Sequence, residues 1–437
     1  MPPLVFTMTV SHLSQKLSTQ RLRWIAAFAL YAVAIFYMVE LLRELPTGHD
    51  LSTYRDFYAY YSPALSLRHG LNPYVAQPKL GDTPDWFLLF EPLTFLSPFI
   101  AYWVWFVLNV LMFAASLRIL NRDAGLRSAD AWIIGALMLM YPPVAMNFWF
   151  AQSEILLLFV LTLFIHELGR GRQVTAALLL AAACLLRAYP IGLLGYLVAR
   201  RQWRTASFTI LGCIAGLCTT IALVGSDVVL TFLRNAGLMH GFAIWGSTRP
   251  LNQDISLLRH PANLNLARLV SFVVAHAIGT SESSTVAGVA GLVVELALVA
   301  IVVALTVRFA AKEDRDWRAL SLWIITVSML SPIMWGQFMV CFIIVFVWLA
   351  GAAARDQVSR RAIWAAVASY ALTVAFSRFR GYPFNWVQPA AERLVGAHPH
   401  LVHLAFETTT ASLALLLLSA YWFTCDREVP TPHSALP

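Results

Sequence analysis

Apolar runs, each close to the length of a membrane-crossing helix, recur along the whole chain. Only 12% of its 437 residues are charged, about half the share found in soluble domains. So few charges cannot cover a water-facing surface, whereas about 20 apolar residues in a helix cross the hydrocarbon core of a bilayer. The sequence therefore predicts an all-α, polytopic membrane bundle that forms a single domain over residues 1–437.

Short basic clusters separate the apolar runs and predict how the chain crosses the membrane. Inner loops of membrane proteins are enriched in Lys and Arg, which explains the net charge of +8 without a nucleic-acid partner. Placing these clusters inside gives about twelve membrane segments with both termini on the inner side. The expected segments are 24–43, 99–120, 131–147, 152–168, a hairpin of two half-length helices over 174–199, 205–224, 285–308, two helices that meet at 330–332, 362–377 and 403–424.

Three long loops, about 44–97, 225–283 and 378–402, fall on the outer side in this topology. Apolar stretches within them, such as Val228–Leu233, predict short helices that lie at the membrane interface. All but one of the outer cations lie in or beside these loops, and long loops largely escape the positive-inside rule. An anionic ligand or contact with lipid headgroups would explain these cations: Arg43, Arg55, Arg68, Lys79, Arg187, Arg234, Arg249, Arg259, Arg268, Arg378, Arg380 and Arg393.

The segment Arg55–Tyr61 places one carboxylate beside an arginine and among aromatic rings in the first outer loop. Asp56 is a candidate general base, because a sugar hydroxyl that attacks an anomeric carbon must lose its proton. The neighbouring rings could stack on sugar faces and exclude water. The structural alternative is a helix N-terminal cap or an ion pair with Arg55. Asp82 and Asp85, in the same loop, are interpreted as turn and helix-capping residues.

Arg187 interrupts the hairpin at outer membrane depth, where a cation usually faces a cavity or a partner. A lipid phosphate would suit it, because a guanidinium matches phosphate oxygens bidentately. The alternative is an arginine that extends to the interface. Glu91 could assist the base or bind acceptor hydroxyls, and its structural alternative is an ion pair with Arg68 or Lys79.

His260 lies close to several outer arginines, so contact with phosphate or sugar is one interpretation and a polar interface residue is the other. The loose spacing of His398, His400 and His403 fits no metal motif, so no metal site is expected. The chain has no Walker loop, dinucleotide-binding turn or nucleophile elbow. Because its ligand-competent residues are on the outer side, away from cytoplasmic nucleotide sugars, a lipid-carried sugar donor fits best.

Several short motifs follow one another in an order that resembles a known family. They are Asp56–Tyr61 with Leu67–Tyr74, Ala151–Glu154, Leu185–Pro190, Asn252–Ser256 and Leu330–Trp335. The ordered set resembles glycosyltransferase family 87 of the GT-C superfamily, the polyprenyl-phosphate-mannose-dependent α-mannosyltransferases of actinobacteria. Three positions depart from the family pattern: Ala151 stands where relatives have Gly, Arg187 stands in place of a Lys, and Gln337 stands near where many place a His.

The resemblance implies a GT-C bundle in the bacterial inner membrane, with cytoplasmic termini and an active site that faces outside. Asp56 would be the base of an inverting transfer of a sugar, expected to be mannose, from a polyprenyl-phosphate donor. The acceptor would be a membrane glycolipid or lipoglycan of the cell envelope, and no cofactor or metal would be needed. The candidate donor-phosphate residues are Arg187, His260, Arg378 and Arg380, and the candidate substrate-binding residues are Arg55, Tyr60, Tyr61, Arg68, Glu91, Gln152, Asn252 and Gln337.

Two other functions compete with a transferase. A twelve-helix transporter or flippase for a lipid-linked or anionic substrate predicts charged residues at mid-membrane and matched broken helices in both halves. The chain has almost none of the former, and its polar residues gather at one face. A non-catalytic subunit in envelope assembly is the third possibility.

Overall fold

Helices make up the regular structure in a computed structural model of the chain. The structure describes residues 4–43, 45, 55–77, 82–240, 263–279, 285–310, 317–331, 334–377 and 400–425. Within these ranges there is no β-strand, so the all-α prediction is confirmed for the described part of the chain.

The described α-helices, in chain order, are α1 (Leu4–Arg43), α2 (Arg55–Arg68), α3 (Pro73–Ala76), α4 (Pro84–Phe90), α5 (Pro98–Asp123), α6 (Ser128–Leu139), α7 (Pro142–Phe150), α8 (Glu154–Gly169), α9 (Gln173–Leu186), α10 (Leu193–Ala199), α11 (Trp203–Val224), α12 (Ser226–His240), α13 (Leu266–Ile278), α14 (Thr285–Ala310), α15 (Trp317–Met329), α16 (Ile343–Ala353), α17 (Arg360–Ser377) and α18 (His400–Cys425). Short 3₁₀ helices cover Glu91–Phe95, Tyr189–Gly192 and Gly336–Phe342.

Five of the described helical segments are long and apolar enough to cross a membrane: Gln20–Arg43, Pro98–Asp123, Trp203–Val224, Thr285–Arg308 and Gly336–Ala353. The pair α6 and α7, bent by 55° at its break, would make a sixth. Pro142 starts α7 and explains the break, because a proline cannot continue the hydrogen-bond ladder of a preceding helix. The chain is thus a multi-pass membrane protein, and the count of twelve segments stays a prediction.

Helices α9 and α11 lie side by side and run in the same direction. The Thr209 hydroxyl donates to the Ala177 carbonyl at 3.4 Å. One turn further on, the face of Gly212 meets Ala181, and Gly216 then meets Leu185. Because both residue numbers rise together along the interface, the chain must return between the two helices, through α10. The predicted hairpin with Arg187 at its turn is confirmed.

The two ends of helix α8 lie in different electrostatic surroundings. At its C-terminal end, His166 Nδ1 lies 2.7 Å from Asp123 Oδ2, and His166 Nε2 lies 3.0 Å from the Arg122 guanidinium. At its N-terminal end, about 24 Å away for 16 residues, Glu154 contacts Arg187. The basic clusters of the short loops and the residues around Arg187 therefore occupy opposite ends of the bundle.

A second, smaller core lies beneath the first long loop, beside the main core of the bundle. Its buried aromatic rings pack closely: the ring centroids of Trp86 and Phe90 lie 4.9 Å apart in a tilted arrangement, and those of Phe90 and Trp105 lie 4.7 Å apart edge to face. Each such pair adds about 0.5–1.5 kcal/mol beyond the burial of its area. The first loop is consequently a folded layer, in which α2 and α4 pack on α5.

Helices are confirmed in the first long loop by α2, α3 and α4, and in the second by α12 and α13. Their position at the outer membrane interface stays a prediction. The third loop, 378–402, lies almost entirely outside the described residues.

Helices α13 and α14 touch where Gly291 lies against Ala267. A Cβ added to Gly291 would lie 2.7 Å from the Ala267 carbonyl oxygen and 3.0 Å from its Cα. Because the obstacle is backbone, α13 would have to move, and we expect Gly291→Ala to lower the free energy of unfolding by about 1–3 kcal/mol. Thermal unfolding in detergent measures the loss.

Gly288, one turn earlier on α14, is the matched control. A Cβ added there meets no atom within 4 Å. Gly288→Ala should leave stability unchanged or raise it slightly, since Ala is the better helix former by roughly 0.5–1 kcal/mol. Equal shifts in Tm for the two variants would contradict the close helix contact at Gly291.

Candidate active site

Asp56 and Tyr60 lie one turn apart on α2 and meet the same side chain, that of Gln152. The Gln152 Nε2 group donates to Asp56 Oδ2, and the Tyr60 hydroxyl donates to Gln152 Oε1 at 2.5 Å. An ionised carboxylate only accepts hydrogen bonds, so the amide must present its NH₂ to Asp56 and its carbonyl to Tyr60. This relay, Tyr60–Gln152–Asp56, fixes one oxygen of the carboxylate.

The phenol of Tyr60 keeps its proton. Burial raises the pKa of Tyr60 well above its ordinary value, and the nearby Asp82 carboxylate raises it further. Tyr60 is therefore a permanent donor to Gln152 at physiological pH.

The chain turn before Gln152 aims its side chain at α2. Ala151 ends α7 in the left-handed region, with φ 52° and ψ 47°. The Gln152 N–H donates to the Asn147 carbonyl at 2.9 Å, and Trp105 Nε1 donates to the Ala151 carbonyl at 3.0 Å. Both polar backbone groups of the turn are thus satisfied inside the protein.

Three side chains hold the Arg187 guanidinium after the end of α9. One terminal nitrogen donates to Asp82 Oδ1. The other donates to Ser153 Oγ at 2.9 Å and lies 2.8 Å from Glu154 Oε1. The Glu154 side chain is fully buried, and Arg187 and Asp82 expose only 16% and 15% of theirs. This ion cluster of Asp82, Arg187 and Glu154 joins the first loop to the ends of α8 and α9.

The relay and the ion cluster form one site because Gln152, Ser153 and Glu154 are consecutive in the chain. The Tyr60 phenol also senses the charges of Arg187 and Glu154. The structure therefore brings together four sequence-predicted residues, Asp56, Tyr60, Gln152 and Arg187. The site offers a fixed carboxylate as a proton acceptor and, beside it, a guanidinium that two other carboxylates neutralise.

Other predicted substrate-binding residues have structural partners. The Tyr61 hydroxyl donates to the Leu96 carbonyl at 2.8 Å, and both the Tyr60 and Tyr61 rings are buried. Arg68 donates to the Thr94 carbonyl at 2.8 Å and lies 3.8 Å over the Phe95 ring.

Glu91 begins the 3₁₀ helix Glu91–Phe95. Among the described residues, no ion pair joins it to Arg68. The structure therefore does not support the alternative in which Glu91 pairs with Arg68. The other partner considered for Glu91, Lys79, lies outside the described residues.

Gln337 lies close to the site through its backbone, since its carbonyl accepts from Asn147 Nδ2 at 2.9 Å. The next ring, Phe338, has its centroid 5.4 Å from the Arg187 guanidinium carbon. Arg55 belongs to α2, but the structure does not describe its side chain. Four further candidates lie outside the described residues: Asn252, His260, Arg378 and Arg380.

Sequence reasoning missed the acidic partners of Arg187. The turn interpretation of Asp82 gave no hint that its side chain binds Arg187, which lies 105 positions further along the chain. Asp85 is not the cap of α4 either, because Thr83 Oγ1 accepts from the Trp86 N–H at 3.4 Å. Asp85 instead accepts from the Thr220 hydroxyl, and burial raises the pKa of its carboxyl. The one feature of the sequence that could have pointed to Glu154 as a partner is the segment Gln152–Glu154, in which three polar residues separate two apolar runs.

Comparison with known families identifies the family of the chain. Residues 83–332, more than half of the chain, match the model of glycosyltransferase family 87. The chain belongs to this family. It is accordingly a membrane glycosyltransferase, which works in a lipid bilayer and uses a sugar donor. No curated protein matches the chain closely enough to count as a relative. Within this family-87 chain, the matched segment contains Gln152, Glu154 and Arg187 and begins after Asp56 and Asp82.

The left-handed turn at Ala151 allows a test of how the site is built. Glycine at this position removes the steric cost of a left-handed alanine, roughly 1–2 kcal/mol. It also stabilises the unfolded chain by roughly 0.5–1 kcal/mol, because glycine has more conformational freedom there. We expect Ala151→Gly to unfold at the same or a slightly higher temperature and to keep its transferase activity.

Ala151→Val should lose about 2–3 kcal/mol, because a β-branched residue is strained in this conformation and the position is buried. Thermal unfolding of both variants in detergent measures the difference. A valine variant as stable as the glycine variant would contradict the turn.

Proposed function

We propose that this glycosyltransferase moves a hexose, expected to be mannose, from a polyprenyl-phosphate donor to a hydroxyl of a membrane glycolipid or lipoglycan, with inversion. The observation that carries the proposal is the Asp56 carboxylate, fixed by Gln152 next to the Arg187 ion cluster. This group lies at the end of the bundle opposite the short basic loops. By the positive-inside rule that end faces outside, in a bacterial inner membrane with cytoplasmic termini and about twelve segments.

Asp56 acts as the general base. The acceptor oxygen attacks the anomeric carbon from one face of the sugar while the bond to the phosphate oxygen breaks at the other. The bonding electron pair leaves with the polyprenyl phosphate, and the acceptor proton passes to the Asp56 carboxylate. A base placed in this way contributes about 10²–10⁴-fold to the rate.

Arg187 is the proposed contact for the donor phosphate. The two terminal nitrogens of Arg187 are already paired with Asp82 and Glu154. A donor phosphate that binds Arg187 must therefore replace one of these two carboxylates. Asp82 is the partner that exchanges, because it belongs to a loop whereas Glu154 is fully buried at the start of a helix. The cations proposed to complete the phosphate site are His260, Arg378 and Arg380.

The remaining substrate contacts are proposed from the sequence motifs. They are Arg55, Tyr61, Arg68, Glu91, Asn252 and Gln337. No cofactor or metal enters the proposed reaction, in which every proton and electron pair is exchanged between substrates, Asp56 and the leaving phosphate.

Asp56→Asn tests the proposed base. The amide has nearly the same shape but cannot accept the acceptor proton, so transfer should fall by at least about 100-fold. The assay combines the purified protein with radiolabelled polyprenyl-phosphate mannose and a membrane lipid extract, and a labelled glycolipid is the product. Near-normal turnover of a folded Asp56→Asn protein would remove Asp56 from the mechanism.

Asp130→Asn is the matched control for this substitution. Asp130 forms an ion pair of 3.3 Å with Arg23 at the opposite end of the bundle, and exposed pairs of this kind contribute little to stability. The control should keep full activity. If the unaltered protein makes no glycolipid but moves the labelled lipid between leaflets, a flippase replaces the proposed transferase.

A further inference from the structure

We propose that Gln152 and Tyr60 are positioning residues for the reaction, which orient Asp56 and favour its ionised form, and that Gln152 does not bind the sugar through its amide. This inference rests on the proposed function, in which Asp56 is the base. It departs from the substrate-binding role that the sequence predicts for both residues.

The first support is that both ends of the Gln152 amide are already engaged. Its carbonyl accepts from Tyr60 and its NH₂ donates to Asp56. The side chain is almost fully buried, with 3% of the residue exposed. A sugar hydroxyl could replace these partners only by breaking the bond of Gln152 to the half-buried Asp56 carboxylate or to the buried Tyr60 phenol, which is costly.

The second support is the rigidity of Tyr60. Its ring packs edge to face on Trp86, with centroids 5.3 Å apart, and lies 5.6 Å from Phe90. The fixed hydroxyl selects one of the two orientations of the amide. Without it the amide could turn its carbonyl toward Asp56, and two acceptors would then face each other.

The third support is the anchoring of the Gln152 backbone on both sides. The Ala151 carbonyl before it is held by Trp105. The Ser153 hydroxyl and the Glu154 carboxylate after it are held by Arg187. The amide therefore has little freedom to follow Asp56 if the carboxylate moves, and instead defines where that carboxylate lies.

A hydrogen bond donated to a carboxylate favours its ionised form and keeps the pKa low. Among the described residues, the charged groups that act on the Tyr60 phenol of the relay, besides Asp56 itself, are Asp82 before α4, Glu154 on α8 and Arg187 after α9. None of these is changed when the Gln152 bond alone is removed. Its loss should therefore raise the pKa of Asp56 and move the acidic limb of kcat toward higher pH.

Two substitutions remove the relay at different points. Tyr60→Phe deletes the donor to the amide, and Gln152→Met keeps the side-chain length but deletes both polar groups. Each should lower kcat about tenfold, leave KM for donor and acceptor within about twofold, and shift the acidic limb by about one pH unit.

Tyr370→Phe is the matched control, since it also removes a phenol hydrogen bond, one of 2.6 Å from the partly buried Tyr370 to the Leu137 carbonyl. It should change neither kcat nor the pH limb.

The full-length protein in detergent, assayed for glycolipid formation across pH, separates the outcomes. A raised KM with an unchanged acidic limb of kcat would mean that Gln152 binds substrate. A kcat and an acidic limb equal to those of Tyr370→Phe would mean that Gln152 has only a structural role. Either result overturns the inference. If Tyr60→Phe unfolds, Gln152→Met decides alone, because it leaves the aromatic cluster intact. Full activity of Asp56→Asn would instead defeat the proposed function, and so distinguishes the two failures.

Discussion

A guanidinium buried at the turn after α9 must be neutralised where it lies, and the segments that neutralise it are the ones that build the site. Charge at membrane depth is expensive unless it is paired, and breaking a buried pair costs several kcal/mol. Arg187 therefore draws together Asp82 from the first loop and Glu154 from the start of α8. Because Gln152 lies two residues before Glu154, the same ion pair places Gln152 next to Asp56.

The aromatic residues of the first loop have a different task from the one their sequence suggested. A run of rings next to a carboxylate predicts surfaces for stacking on sugars. In the fold, Phe57, Tyr60 and Tyr61 are buried against other rings, whereas Tyr58 remains 36% exposed. Their packing fixes α2, and a fixed α2 gives Asp56 a defined position. Of the described rings in this segment, Tyr58 is the one most open to a substrate.

Helix positions were largely predictable because hydrophobic length and basic clusters are local properties of the chain. The expected segments 99–120, 205–224 and 285–308 agree with α5, α11 and α14 to within three residues at every end. The hairpin at 174–199 was also predictable, since each arm is too short for a full span. Candidate site residues were found where a polar group interrupts an apolar pattern, as Gln152 and Arg187 do.

Pairings between distant residues could not be found in this way. Asp56 and Gln152 are 96 positions apart, and Asp82 and Arg187 are 105 apart. Nothing in the local sequence distinguishes an aspartate that caps a turn from one that neutralises a remote arginine. The position where the family has a glycine illustrates the same limit. Only the structure shows that the backbone at Ala151 is left-handed, in the turn that connects α7 to α8.

The amino-acid sequence alone determined that this chain is helical, that it is a membrane protein and that its ligand-competent residues are concentrated toward one end. It could do so because hydrophobicity, length and charge act over a few turns of helix. Tertiary structure decided which carboxylate Gln152 binds and which ones hold the Arg187 cation. That choice depends on the directions in which α2, α8 and α9 bring their ends together, and so on packing between segments far apart in the chain.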